Sequence, residues 1–96
     1  MARLIYAPQA RIDSASIVQT IARDNRSAAL HFGDELRANC RRLAAHPLIG
    51  EAQPDLGRGN LRAMGCGNYI IYYRVVANAV EIVRIIHGAR QQDRLL

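Results

Sequence analysis

Residues 69–86 read YIIYYRVVANAVEIVRII, and no other stretch restricts the fold as much. Tyr69 to Val76 and Ala79 to Ile86 are each eight residues rich in β-branched and aromatic side chains, a composition that favours a pleated strand. Between them lies only Ala77-Asn78, which fits a tight turn. So short a connection leaves antiparallel pairing as the outcome, because parallel strands need a long crossover. Three of the chain's five aromatic residues (Tyr6, Phe32, Tyr69, Tyr72, Tyr73) fall in the first run, which places that strand at the centre of the fold.

Upstream the hydrophobic period changes. Arg3-Leu4-Ile5-Tyr6-Ala7 is a short strand-like run stopped by Pro8. From Gln9 to Arg23, Ala10, Ser14, Ile17, Val18 and Ile21 recur at helical spacing. Asp24-Asn25-Arg26-Ser27 interrupts the stripe, with Asn25 or Ser27 able to cap the next helix. That second helix is expected from Ala28 to Ala45, with Ala29, Phe32, Leu36, Cys40 and Leu43 on one side. It ends at His46-Pro47, since a residue before proline resists the α conformation. The break between the stripes is short enough to force an antiparallel helical hairpin.

Leu48 to Asn60 shows no clear period and reads as loop. Leu61-Arg62-Ala63-Met64 is a further strand, turned back by Gly65-Cys66-Gly67-Asn68 into Tyr69. After Ile86, His87-Gly88-Ala89-Arg90 leaves the sheet, and Gln91 to Leu96 is a short tail with helical character. The order strand, helix, helix, strand, strand, strand predicts one α+β domain over residues 1–96. It is an antiparallel three-stranded meander under a helical hairpin, joined by the N-terminal strand pairing with a later one.

Strand alternation raises a question of cover. In the first long run, Tyr69, Ile71, Tyr73 and Val75 share one face and Ile70, Tyr72, Arg74 and Val76 the other. In the second, Val80, Ile82, Arg84 and Ile86 oppose Glu81, Val83, Ile85 and His87. Both faces are mainly apolar, yet one pair of helices covers one face. An antiparallel sheet covered on one side ordinarily shows polar residues on the other. The second face is therefore expected to be an apolar interaction surface around Arg74 and Arg84, the alternative being that the first strand, the long loop and the tail fold over part of it.

The net charge is +5, and all 13 basic residues are arginine. Such a balance favours acidic partners, and each cation is a planar fork suited to carboxylate or phosphate. Cys40 and Cys66 stand apart, without CxxC or zinc spacing; two reduced, buried thiols are expected. No apolar segment has the form of a signal peptide or membrane span, so the expected location is the cytoplasm. The glycines of Gly57-Arg58-Gly59-Asn60 and Gly65-Cys66-Gly67-Asn68 lack a phosphate-binding lysine and a strand-to-helix context. No cofactor or metal is called for, and Ser14, Ser16 and Ser27 form no nucleophile arrangement.

From Pro8 to Arg90 the chain resembles the RelE/ParE toxin superfamily, and ParE within it. The resemblance rests on the opening strand with Pro8 and the helix carrying Ile17 and Ile21. It continues in a leucine–x–x–x–proline–x–x–glycine junction at Leu43, Pro47 and Gly50, in Leu61-Arg62, and in Tyr69 to Val75. Its most specific piece is Ile82-Val83-Arg84-Ile85-Ile86-His87-Gly88-Ala89-Arg90, similar to the ending I-x-R-x-x-H-x-x-R. The resemblance implies a type II toxin with a cognate, ParD-like antitoxin that wraps it into a hetero-oligomer. Ile70, Tyr72, Arg74, Ile82, Arg84 and Ile86 are the antitoxin-binding residues it leads us to expect.

The superfamily divides by target. ParE-like members are associated with inhibition of DNA gyrase, and RelE-like members cut messenger RNA on the ribosome. Metal-free RNA cleavage needs a base, a cation for the phosphate and an acid for the leaving oxygen. Arg62, Arg74, Arg84 and His87 are what this chain offers for that alternative. It has no lysine and no tyrosine after Tyr73, and its tail departs from the C-terminal catalytic pattern, which favours the gyrase reading. Target contacts are then expected in the tail, at His87, Arg90 and Arg94, with nucleic acid met only through antitoxin or target and no membrane involved. His87 also has a plain structural reading, as a histidine bonded to backbone at the sheet's end. A third reading keeps only a role in complex assembly.

Overall fold

The computed structural model describes residues 2–56 and 59–89. Strand β1 (Arg3–Tyr6) leads into α1 (Pro8–Asp24) and α2 (Arg26–Ala45). A two-residue strand β2 (Glu51–Ala52) and a 3₁₀ turn (Pro54–Leu56) come next. The chain then enters β3 (Arg62–Cys66), β4 (Tyr69–Val76) and β5 (Ala79–His87). The five strands make one sheet in the order β1-β5-β4-β3-β2. β2 to β5 pair antiparallel, and β1 pairs parallel to β5.

The hairpin and meander are as expected, and the N-terminal strand does join the sheet beside β5. Asn25 is the cap: its Oδ1 accepts from the Ala28 N–H at 2.9 Å, while its own N–H closes α1 on Ile21 O at 3.0 Å. One residue thus ends one helix and begins the next, a tighter link than the expected four-residue interruption. The first hairpin also turns later than expected. Gly65 and Cys66 continue β3, and only Gly67-Asn68 make the turn, with Gly67 at φ +59. The loop before it contains β2, a strand too short to leave a period in sequence.

The core lies between the helical hairpin and one face of the sheet. Ala10 and Ile17 of α1, and Phe32, Leu36, Cys40 and Leu43 of α2, pack on Cys66, Ile71, Tyr73, Val80, Ile82 and Ile85. The expected alternation of β5 does not hold. A bulge sets Tyr73 opposite Ile82 but Tyr72 opposite Arg84, leaving Val83 as an extra residue. Val80 and Ile82 therefore belong to the core face before the bulge and Ile85 after it.

Candidate interaction surfaces

β1 stops at Tyr6, opposite Ile82, so among the described residues the outer edge of β5 beyond that point has no neighbouring strand. Asp13 of α1 takes its place. Its carboxylate accepts from the Ile85 N–H at 3.0 Å, from Arg84 Nε at 2.7 Å and Nη2 at 3.1 Å, and from Gln9 Nε2 at 3.1 Å. Burial pushes the Asp13 carboxyl up, but Arg84, the Ile85 amide and Gln9 outweigh it and hold it below its ordinary value. Sequence reasoning does not single out Asp13. Its signal is an acid three residues after Ala10 and four before Ile17, inside the buried stripe.

A second clasp joins β3 and β4 to the turn after α2. The Gly50 N–H donates to Tyr73 Oη at 2.8 Å, and the Tyr73 hydroxyl donates to Pro47 O at 2.9 Å. Arg62 Nη1 donates to Gly50 O at 2.7 Å and to Leu48 O at 3.2 Å. Gly50 is required by close approach: a Cβ there would lie 2.5 Å from Tyr73 Oη and 2.9 Å from Ala63 O. This gives the leucine–proline–glycine junction a physical basis, with Leu43 in the core and Pro47 and Gly50 held by one tyrosine.

The helical hairpin carries a cleft of about 500 Å³ between α1 and α2, lined among others by Tyr6, Arg11, Val18, Gly33, Leu36 and Arg37. The Arg11 guanidinium lies 5.4 Å over the Tyr6 ring, and Arg37 is ion-paired with Asp34. Burial, with a hydrogen bond to Cys40, pushes the Tyr6 hydroxyl above its ordinary value, so it stays protonated. Burial likewise raises the thiols of Cys40 and Cys66, both unbridged.

The expected antitoxin-binding residues do not form one open face. Ile82 is fully buried in the core, Tyr72 and Ile86 are 3 % and 4 % exposed, and Arg84 is turned to Asp13. The bulge moves Ile82 off that face, while Ile70 and Ile86 remain cross-strand neighbours. Arg74 remains exposed, held by Glu81 at 2.6 Å, the partner its cross-strand position dictates. Among the described residues, the exposed large hydrophobics are Ile12, Leu30, Leu48 and Ile49, none of them on the sheet.

Nor do the residues considered for RNA cleavage converge as free groups. Arg62 serves the Pro47–Gly50 turn, Arg74 serves Glu81 and Arg84 serves Asp13. His87 is exposed at the end of β5, where Nδ1 accepts from the Ala89 N–H at 3.1 Å and the ring meets Tyr69 edge-on at 5.2 Å. That is its structural reading. Arg90, Arg94 and the tail from Gln91 to Leu96 lie outside the described residues. None of the described helices is long and apolar enough to cross a membrane.

Comparison with known proteins supplies the family. Toxin ParE1 of Caulobacter vibrioides is 34% identical over 59 residues, covering 62% of this chain and 59% of that protein. Toxin ParE1 of Mycobacterium tuberculosis is 33% identical over 63 residues, covering 65% of this chain and 63% of that protein. The matches thus span less than two thirds of the length of these curated relatives. A chain of the chromosomal ParDE TA system from P. aeruginosa shares the fold, with a TM-score of 0.75 over 91% of this chain and 96% of that one, at 18% identity. The model of the family described as "ParE toxin of type II toxin-antitoxin system, parDE" matches residues 4–92. The chain therefore belongs to the ParE toxin family of type II toxin–antitoxin systems.

Proposed function

We propose that this chain is the toxin of a type II pair, neutralised by a cognate antitoxin and inhibiting DNA gyrase when released. The observation that carries the choice of target is the commitment of its sheet cations. Arg62, Arg74 and Arg84 are each bound to a backbone carbonyl or carboxylate of the chain itself. Freeing any of them for a phosphate costs a structural contact, so action through protein binding fits the geometry better than metal-free RNA cleavage.

The antitoxin has a receptor on the helical hairpin. The α1–α2 cleft offers apolar walls at Val18 and Leu36, with Arg11 and Arg37 lining it, which suits an amphipathic segment bearing acidic residues. Ile70 and Arg74 on the sheet are further contacts in this reading, and exposed His87 joins Arg90 and Arg94 as target contacts.

Expression of the chain in a bacterial host is expected to arrest growth, with plasmids losing negative supercoils and messenger RNA remaining intact. Co-expression of the antitoxin encoded beside it restores growth. Arrest accompanied by cleaved messenger RNA and normal supercoiling would contradict the gyrase assignment.

A further inference from the structure

The turn after α2 inverts the usual division between backbone and side chain. Its backbone is fixed at Pro47 O, Leu48 O, Gly50 N and Gly50 O by Tyr73 and Arg62. Its two large side chains face solvent instead: Leu48 is 69% and Ile49 47% exposed. Aliphatic groups held this way contribute little to the core, and the pinned loop has little conformational freedom left to lose on docking.

On the α2 side the surroundings are cationic. Ile49 borders a shallow depression formed with Ala38, Arg41, Arg42, Ala45 and His46. From Leu36 to Gly50 the sequence contains no acidic residue. Among the described residues, neither Arg41 nor Arg42 is ion-paired to a carboxylate; Arg42 reaches only Asn39 Oδ1, at 3.4 Å.

We propose that the Leu48–Ile49 turn is a further contact by which this chain grips its protein target, seating two aliphatic side chains in an apolar pocket edged by carboxylates. This rests on the reading of the chain as an inhibitor of a folded protein. Shape selects the occupant. A segment that wraps the toxin needs a groove on the toxin, which the α1–α2 cleft provides; a rigid projecting turn needs a pocket already formed in its partner. Charge agrees, since Arg41 and Arg42 complement acidic rim residues. Nucleic acid fits less well: residues 36–50 hold no Phe, Tyr or Trp for a base to stack on, and phosphates gain nothing from exposed leucine and isoleucine.

The test compares wild type with Leu48→Ser/Ile49→Ser and, separately, Arg41→Gln/Arg42→Gln in a gyrase supercoiling assay. Antitoxin affinity and melting temperature are measured on the same preparations. The serine variant is expected to keep its fold and its antitoxin affinity while inhibiting gyrase at least tenfold more weakly. The glutamine variant should inhibit more weakly, and its remaining inhibition should show a shallower salt dependence. Full inhibition by the folded serine variant, beside active wild type, overturns the proposal alone. Equal loss of antitoxin affinity assigns the turn to the antitoxin, and loss of a wild-type dimer assigns it to self-association; either overturns it. Loss confined to binding of DNA or of anionic vesicles does the same. Wild type that fails to inhibit gyrase at all removes the underlying reading, and the proposal with it.

Discussion

Asp13 shows how much one buried residue carries. Its carboxylate completes the edge of β5 and holds Arg84, so Asp13→Asn removes the charge that a half-buried guanidinium faces. The expected loss is about 2–3 kcal/mol at neutral pH, measured by urea denaturation. Because its folded pKa is lowered, the carboxylate's contribution is complete above the ordinary carboxylate range and is lost as pH falls through the lowered value. The gap between wild type and Asp13→Asn should therefore narrow below about pH 4. A gap that stays constant well below that pH would show that the charge is not what Asp13 contributes. Tyr73→Phe removes the clasp on Pro47 and Gly50 and should cost about 1–3 kcal/mol, since the Gly50 amide is left buried without a partner. Gly50→Ala should cost more, because its Cβ meets both the Tyr73 ring and backbone. Of these residues, Pro47 and Gly50 stand out in the sequence through the family resemblance, and Pro47 also as the stop of a helix. Asp13 does not, and Tyr73 stands out only as a strand aromatic, since partners 72 positions away for the carboxylate and 23 or 26 for the hydroxyl leave no local trace.

At the scale of elements, local chemistry makes the helices and hairpins readable. Pro8, Asn25 and Pro47 punctuate the two helices, and Ala77-Asn78 and Gly67-Asn68 turn the strands. The β5 bulge is not readable, because a bulge is decided by how two strands pair and not by either strand's own pattern. Strict alternation therefore puts Ile82 on the wrong face and makes the sheet look more exposed than it is. The helical hairpin holds a different clue in Gly33. Among the described residues, a Cβ there would meet only Arg37 nitrogens, at 3.6 and 3.8 Å, and none of them requires glycine in mid-helix. Gly33→Ala is expected to stabilise the free toxin by about 1 kcal/mol, read as a higher melting temperature. In the proposed reading it should also weaken antitoxin binding by narrowing the α1–α2 cleft. Stabilisation with unchanged affinity, in isothermal titration, would move the antitoxin elsewhere.

Over the whole molecule, two surfaces take separate roles in the proposed reading: a groove between helices receives a wrapping segment, and a rigid apolar turn enters a partner's pocket. Net charge of +5 draws both partners the same way, toward carboxylates. Antitoxin binding should raise the toxin's unfolding temperature in proportion to the logarithm of antitoxin concentration over its dissociation constant, as any ligand of the native state does. The most direct test of gyrase inhibition under antitoxin control is a supercoiling assay with purified gyrase and relaxed plasmid, titrated with the folded chain in the presence and absence of its antitoxin. The predicted result is dose-dependent inhibition that stoichiometric antitoxin abolishes. Normal supercoiling with the folded, antitoxin-free chain in large excess would contradict it.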